Sequence, residues 1–170
     1  MQTPSKHPYN NQNFNTNHIG VSVPPGTLEE VVEWYGKHLG FRRLTSSSHE
    51  MGPGGKIYGS TLRKAKVAYL TTGNGVGFEI FEFIDPPTKA VDMNEWSLEE
   101  QYQRGGMFHL AITVPDPDRV CKECCDDGAT QIGETIEERN GEKLLYLRDP
   151  WGMIVELLSC SWEQMNANAW

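Results

Sequence analysis

Two histidines and two glutamates occur at matching places in a repeated sequence pattern. His18 opens a short β-branched run over residues 17–23, and His109 opens a similar run over 108–114. Each run is followed by a helix-like stretch and ends in a strand with a carboxylate, Glu79 in the first half and Glu156 in the second. Imidazole nitrogens and carboxylate oxygens form a mixed ligand set for a divalent metal. The pattern predicts one metal site built from two related modules.

The strand neighbours of these four residues are consistent with that interpretation. Small residues flank each histidine on its own strand face, which leaves room around the imidazole. Glu79 shares a strand face with Phe81 and Phe83, and Glu156 shares one with Ile154 and Leu158. A lone ionised carboxylate in apolar surroundings is unfavourable unless it is paired or coordinated. Taken alone, each of these residues is more simply explained as a solvent-facing polar side chain. Four such residues at matched places in a repeat favour coordination of a metal ion.

The first module is predicted to have the order β-α-β-β-β. A strand over 17–23 is followed by a capping box at Thr27–Glu30, which opens an amphipathic helix to about His38. Gly40 ends this helix, a strand begins at 41–44, and the Ser- and Gly-rich stretch from Ser46 to Lys64 is predicted to be a mobile loop. Paired strands at 67–71 and 77–84 follow, with a turn signal at 73–75 between them.

The second module repeats this order after a linker over 85–107 that contains one short helix near 97–100. Asp116 and Pro117 predict a helix N-terminus after the strand at 108–114, and three further strands are predicted at 131–136, 143–147 and 153–158. We therefore expect five segments: a polar, partly disordered lead at 1–16, a first module at 17–84, a linker at 85–107, a second module at 108–160, and a tail at 161–170.

The bulk properties exclude several classes of partner. The chain has 170 residues, enough for one compact domain, and a formal net charge of −8. That charge argues against nucleic acid or an anionic membrane, since both attract basic surfaces. Residues 1–16 lack the apolar stretch of a secretory signal, so we expect a cytoplasmic protein. The four cysteines are predicted to be buried or free thiols rather than a metal or redox site: Cys121, Cys124, Cys125 and Cys160.

These motifs resemble the vicinal oxygen chelate superfamily, which includes glyoxalase I, methylmalonyl-CoA epimerase, extradiol dioxygenases and bleomycin-resistance proteins. The resemblance rests on the duplicated HxGxxV-like strands, the segment 77–82, and Asp149-Pro150-Trp151-Gly152 before the second glutamate. It implies an α+β fold whose two βαβββ modules form a cupped, mostly antiparallel eight-stranded sheet around one divalent ion (Ni, Co, Zn, Mn or Fe). The family's ligand positions match His18, Glu79, His109 and Glu156.

The resemblance also implies a reaction type. A substrate with two neighbouring oxygens would chelate the metal, which as a Lewis acid would stabilise an enolate or alkoxide. Glu156 is the first choice and Glu79 the second for moving the proton. We therefore expect an isomerase or lyase. Ser22 stands where glyoxalase I usually has an arginine, and Phe83 where it often has an asparagine, so a glutathione-dependent glyoxalase is not expected. The chain also lacks the epimerase's carboxylate on the third strand, around 67–69.

The remaining aromatic and basic residues favour an apolar or aromatic small metabolite as substrate. The predicted substrate-binding residues are Ser22, Tyr58, Arg63, Tyr69, Phe81, Phe83, Trp96, Thr113, Arg148 and Trp151. Two alternatives stay open, an iron-dependent extradiol-type dioxygenase and a non-catalytic binding module of the resistance type. We expect a homodimer, with each site within one chain slightly favoured over a site shared between chains.

Overall fold

The computed structural model describes residues 15–54 and 57–167, and over this range the chain has an α+β fold. One sheet has the strand order β1-β5-β4-β2 with β3 also paired to β4, and the other has the order β6-β9-β8-β7. The elements in chain order are β1 (His18–Val23), α1 (Leu28–Leu39), β2 (Arg42–Arg43), β3 (His49–Met51), β4 (Lys64–Thr71), β5 (Gly77–Asp85), α2 (Leu98–Gln103), β6 (Leu110–Thr113), α3 (Pro117–Cys125), β7 (Thr130–Glu137), β8 (Lys143–Arg148), β9 (Ile154–Leu158) and α4 (Trp162–Ala167).

Both modules place their first strand parallel to their last. In the first module β1 pairs in parallel with β5, and in the second β6 pairs in parallel with β9. The intervening helix makes this possible, since parallel neighbours need a crossover connection. The repeated β-α-β-β-β order and the α+β class predicted from the sequence are confirmed. The strands form two sheets rather than one continuous sheet, and β3 is an additional strand in the first of them.

Local sequence signals explain most helix ends. The side chain of Asp116 accepts a hydrogen bond from Arg119 N–H at the start of α3, with Pro117 in the first turn. Gly40 ends α1 in the left-handed conformation, with φ of 71°, and donates its N–H to Tyr35 O. The capping box predicted at the start of α1 is wrong, because the Thr27 hydroxyl donates to Pro24 O and makes no capping bond to the helix.

The two modules share one hydrophobic core. Residues of β1, α1, β4 and β5 join residues of β6, α3, β8 and β9 in a single buried cluster. Polar contacts cross the same boundary: the Tyr35 hydroxyl donates to Asp149 Oδ2 at 2.8 Å, and Trp34 Nε1 donates to Asp127 O at 2.9 Å. The Trp34 ring also meets Trp151 edge-on, with centroids 6.1 Å apart. The helix-bearing sides of the two modules are therefore joined.

Two segments differ from the sequence predictions. Part of the loop predicted at 46–64 forms β3, and Leu62 within it is buried. The tail contains α4, whose Met165 packs with Leu158 and Cys160 in a small second core. Residues 1–14 of the predicted disordered lead lie outside the described residues, as do 55–56 and 168–170. None of the helices within the described ranges is long and apolar enough to cross a membrane.

Candidate metal and substrate site

The first His–Glu pair lies on the face of its sheet that points away from the shared core. Along β1, Ile19 and Val21 pack against the core, so His18 points to the opposite face. Gly20 lies directly opposite Glu79 in the β1–β5 pairing. His18 Nε2 and Glu79 Oε2 are 3.3 Å apart, and their side chains are 47% and 24% exposed.

A hydrogen bond from the His18 ring to a neighbouring residue orients the ring. His18 Nδ1 and Asn17 Oδ1 are 2.7 Å apart. Because the amide oxygen can only accept, Nδ1 donates to it, and Nε2 is the ring nitrogen that faces Glu79 Oε2. Metal-bound histidines are held in this way, with one nitrogen donating to an acceptor and the other free to bind the ion.

The second pair repeats the His–Glu contact in a more enclosed setting, but the buried Nδ1 of His109 has no hydrogen-bond partner within the described residues. His109, just before β6, has its Nε2 3.1 Å from Glu156 Oε2, and the two side chains are 30% and 10% exposed. Tyr146 lies opposite Glu156 in the β8–β9 pairing, so the two side chains lie on the same face of the sheet. Burial, together with the nearby Glu156 carboxylate, raises the pKa of Tyr146 to about 12, so its hydroxyl stays protonated near neutral pH. The His109 and Tyr146 rings also meet edge-on, with centroids 5.3 Å apart.

The donors within each pair fit a shared divalent ion. Two ligands bound at about 2.0–2.1 Å to one ion lie roughly 2.9–3.4 Å apart, depending on the angle between them. The two observed nitrogen–oxygen separations are 3.3 and 3.1 Å. The pairs do not converge within one chain, however: over 15–54 and 57–167, no group of three or more His, Cys, Asp or Glu residues is placed to hold a metal ion. Each chain therefore presents two separate half-sites.

Aromatic side chains form a wall beside the first half-site. Phe81 and Phe83 stack with centroids 5.5 Å apart and an interplanar angle of 5°. The Tyr58 ring meets Phe81 at 6.1 Å, and Tyr69 lies opposite Glu79 in the β4–β5 pairing. Residues directly opposite on paired strands share a face, so Tyr69 and both phenylalanines line the same surface as Glu79. The structure thus brings four predicted substrate-binding residues together.

Comparison with known proteins agrees with this architecture. The profile of the Glyoxalase/Bleomycin resistance protein/Dioxygenase superfamily matches residues 15–157. The chain belongs to this superfamily. It is 26% identical over 151 residues to a 2-epi-5-epi-valiolone epimerase from Actinomyces sp., a match covering 84% of this chain and 77% of that protein.

Solved structures of the superfamily share the fold. A glyoxalase family protein from Bacillus cereus matches with a TM-score of 0.70 at 21% identity, covering 87% of this chain and 95% of that one. Glyoxalase I from Zea mays matches with a TM-score of 0.57 at 16% identity, covering 86% of this chain and 44% of that one. At these identities the likeness extends to the fold alone.

Four other predicted substrate-binding residues of this superfamily member make contacts outside the aromatic wall: Arg63, Trp96, Thr113 and Arg148. Arg63 is a surface residue whose Nε donates to Asp85 Oδ2 at 2.7 Å. Arg148 lies under the Trp96 ring, 5.1 Å from its centroid, and its terminal nitrogen donates to Thr130. The Thr113 hydroxyl donates to the backbone oxygen of Cys160. Arg63 and Thr113 therefore bond to other parts of the protein itself. Arg148 belongs to the second module, whereas the aromatic wall belongs to the first.

A cavity of about 380 Å³ lies between the modules. Ser22, Trp151 and His109 line it, together with linker residues such as Lys89 and Arg104. Ser22 and Trp151, both predicted to bind substrate, line this cavity, and Ser22 also lies opposite Phe81 in the β1–β5 pairing. Asp149 lies at the same boundary between the modules and is 2% exposed. Burial raises the pKa of its carboxyl group, and this effect outweighs the hydrogen bonds from Tyr35 and from backbone N–H groups, which act to lower the pKa.

The sequence analysis did not identify two residues that lie at the site. Tyr146 beside Glu156 is one, although the predicted strands at 143–147 and 153–158 form a hairpin whose pairing would have placed them opposite each other. Asn17 is the other, and its position directly before His18 was the signal. The prediction for the cysteines fits the structure: burial raises the pKa values of Cys121 and Cys124 to about 12, so neither thiol is reactive near neutral pH.

Proposed function

We propose that this protein is a metal-dependent isomerase or lyase that acts on a vicinally oxygenated small metabolite. The observation that carries the proposal is the pair of matched His–Glu half-sites, with donor separations of 3.3 and 3.1 Å. The superfamily and the relative named as an epimerase favour an isomerase. The donor set of His18, Glu79, His109 and Glu156 suits Ni, Co, Zn, Mn or Fe.

The residues of the two pairs and of the aromatic wall suggest separate roles in the reaction. A divalent ion bound by the two histidines and two glutamates would supply Lewis-acid stabilisation of negative charge on a substrate oxygen. A glutamate oxygen takes the proton from the carbon next to the carbonyl and returns it, so the isomerisation needs no other reactant. Phe81 and Phe83 exclude water on one side and fit an apolar or aromatic substituent.

A second copy of the chain would complete the site. Each half-site offers two ligands, whereas a catalytic ion commonly has three protein ligands. The His18 and His109 side chains are 47% and 30% exposed, so both pairs remain accessible to another chain. We therefore infer a homodimer with two shared sites, rather than the site within one chain that the sequence slightly favoured.

The test of a shared site is a mixture of two inactive chains. His18→Ala and Glu156→Ala each damage a different half-site, so a mixed dimer with shared sites contains one site with both defects and one intact site. We expect one tightly bound Co²⁺ per mixed dimer and none in either parent dimer. If confirmed mixed dimers bind no Co²⁺, the shared site is refuted.

The test of the reaction is deuterium exchange. The metal-loaded protein is incubated in D₂O with 2-hydroxyacetophenone, an aromatic compound with neighbouring oxygens, and the carbon-bound protons are followed by NMR. We expect exchange above the rate with metal alone, and loss of the excess in Glu79→Gln/Glu156→Gln protein. Oxygen uptake with catechol instead would favour the dioxygenase alternative, and metal-free native protein would favour a binding module.

A further inference from the structure

The cavity between the modules has the size of a small-molecule site. Its volume of about 380 Å³ lies within the range that such sites occupy in proteins. The residues that line it come from β1 and α1, from the linker over 85–107, and from the turn and strand at 149–154. Of the four candidate metal ligands in the described part of the chain, only His109 is among them. A molecule bound in this cavity would therefore contact both modules and the linker together.

The cationic residues around the cavity contrast with the charge of the whole chain. The chain has a formal net charge of −8, yet Lys89 and Arg104 of the linker both line the cavity. Arg104 Nη2 donates to Gln101 Oε1 at 2.9 Å, which is a neutral partner. Over residues 15–54 and 57–167, neither cation forms an ion pair with a carboxylate. Both residues are exposed, so their charges are available to a ligand.

Asp149 is the one acidic residue described in the cavity lining, and its carboxylate is already bonded within the protein. Its Oδ2 accepts from the Tyr35 hydroxyl, and its Oδ1 accepts from the N–H groups of Trp151 and Met153. The residue is 2% exposed, so it presents little surface to a bound molecule. The accessible charges of the cavity lining are therefore positive.

Apolar side chains form much of the remaining lining. Met107 and Phe108, at the end of the linker, are 51% and 38% exposed, which is unusual for large apolar residues. An apolar molecule in the cavity would remove part of this surface from water, and that burial favours binding. The other apolar residues of the lining are Val21, Val23, Val31, Trp151, Met153 and Ile154.

We propose that the cavity between the modules is a binding site for a small organic anion, with an apolar body of ring size and one carboxylate. Lys89 and Arg104 bind the carboxylate, since arginine pairs with carboxylates through two parallel hydrogen bonds. The apolar body lies against Met107 and Phe108. Ser22 adds a hydroxyl group to the lining. This binding needs no metal ion and does not depend on the proposed reaction.

The first test measures affinity by calorimetry with the full-length, metal-free protein. The probes are 2-naphthoate and its neutral counterpart 2-naphthamide, and we expect the protein to bind the anion more tightly. Loss of one accessible ion pair should weaken 2-naphthoate binding by about fivefold in Lys89→Gln and in Arg104→Gln. Arg139→Gln is the matched control, because Arg139 is exposed and lies in the turn between β7 and β8. Equal affinity for the two probes, equal effects of all three substitutions, or no binding at millimolar concentration would overturn the proposal.

The second test locates the bound probe by NMR of ¹³C-labelled methionine methyl groups. Met107 and Met153 line the cavity, whereas Met51 lies in β3 and Met165 in α4. We expect 2-naphthoate to shift the signals of Met107 and Met153 and to leave the other two unchanged, with single Met→Leu variants assigning each signal. Binding that shifts only Met51 or Met165 would place the probe elsewhere and refute the site. Because both tests use metal-free protein, failure of the metal-dependent function would leave their result intact.

Discussion

The hydrogen bond between Tyr35 and Asp149 joins the two modules, and its removal should have a measurable effect. The Tyr35 hydroxyl donates to Asp149 Oδ2 at 2.8 Å, and both residues are almost completely buried. In Tyr35→Phe the ring remains, including its stacking on Phe78 at 5.5 Å, so no cavity forms. The change therefore isolates the hydroxyl group.

The expected loss follows from the kind of hydrogen bond removed. Bonds to a charged group contribute about 1.5–3 kcal/mol to stability, and a buried acceptor that loses its donor is not compensated by water. Asp149 Oδ1 keeps the N–H groups of Trp151 and Met153, so the turn should stay folded. We expect Tyr35→Phe to lower the free energy of unfolding by about 2 kcal/mol. For a chain of this size, that lowers the Tm by roughly 4–8 °C.

The pH dependence of this loss provides a second check. Burial raises the pKa of Asp149 in the folded state above its usual value of 3.8. A raised carboxyl pKa means that ionisation opposes folding, so stability falls as pH rises from the unfolded pKa to the folded pKa. Removing a donor to the carboxylate raises the folded pKa further. The difference between Tyr35→Phe and wild type should therefore be smaller in acid and grow as pH rises.

Urea unfolding, monitored by fluorescence at several pH values, measures both effects. Tyr102→Phe is the matched control, because its ring is 57% exposed and its change should be within about 0.5 kcal/mol of zero. A Tyr35→Phe loss below about 0.5 kcal/mol, or one that does not vary with pH, would show that the Tyr35 bond contributes little to the junction.

Three further predictions address the site, a loop and a surface ion pair. Substitution by alanine at His18, Glu79, His109 or Glu156 should each abolish stoichiometric divalent-metal binding, measured by elemental analysis, against a wild type with about one ion per chain. The loop residues 52–54 and 57–61, with exposed Ile57, should show low hydrogen-exchange protection that increases with ligand, and strong protection without ligand would argue against a lid. Hydrogen bonds from His38 and Lys37 lower the Asp127 pKa below 3.8, so Asp127→Asn should destabilise the protein at pH 6 and not at about pH 2, as judged by melting curves.

The sequence predicted the elements and strand faces well because those depend on local patterns. The alternation along β1 placed His18 on the face opposite Ile19 and Val21, and that placement is observed. The glycine at the end of α1 and the Asp-Pro start of α3 also act through neighbouring residues only. The capping box at Thr27 failed because its hydroxyl bonds to Pro24 O, a local alternative that the motif alone does not exclude.

The arrangement of the site was harder to predict because it depends on how the modules meet. Sequence spacing does not reveal that Tyr35 reaches Asp149, 114 residues further along the chain. That contact and the common core determine which sides of the modules are joined. The relative placement of the two His–Glu pairs follows from this junction. A pattern of four ligands could therefore indicate a metal site without indicating whether one chain completes it.

The two half-sites have the same ligand types but differ in how far they are exposed to solvent. Each keeps one histidine and one glutamate, and the Glu156 side chain is 10% exposed whereas the Glu79 side chain is 24% exposed. A shared site would therefore join the more enclosed pair of one chain to the more exposed pair of the other. Each dimer would then contain two equivalent sites, each built from one pair of either kind.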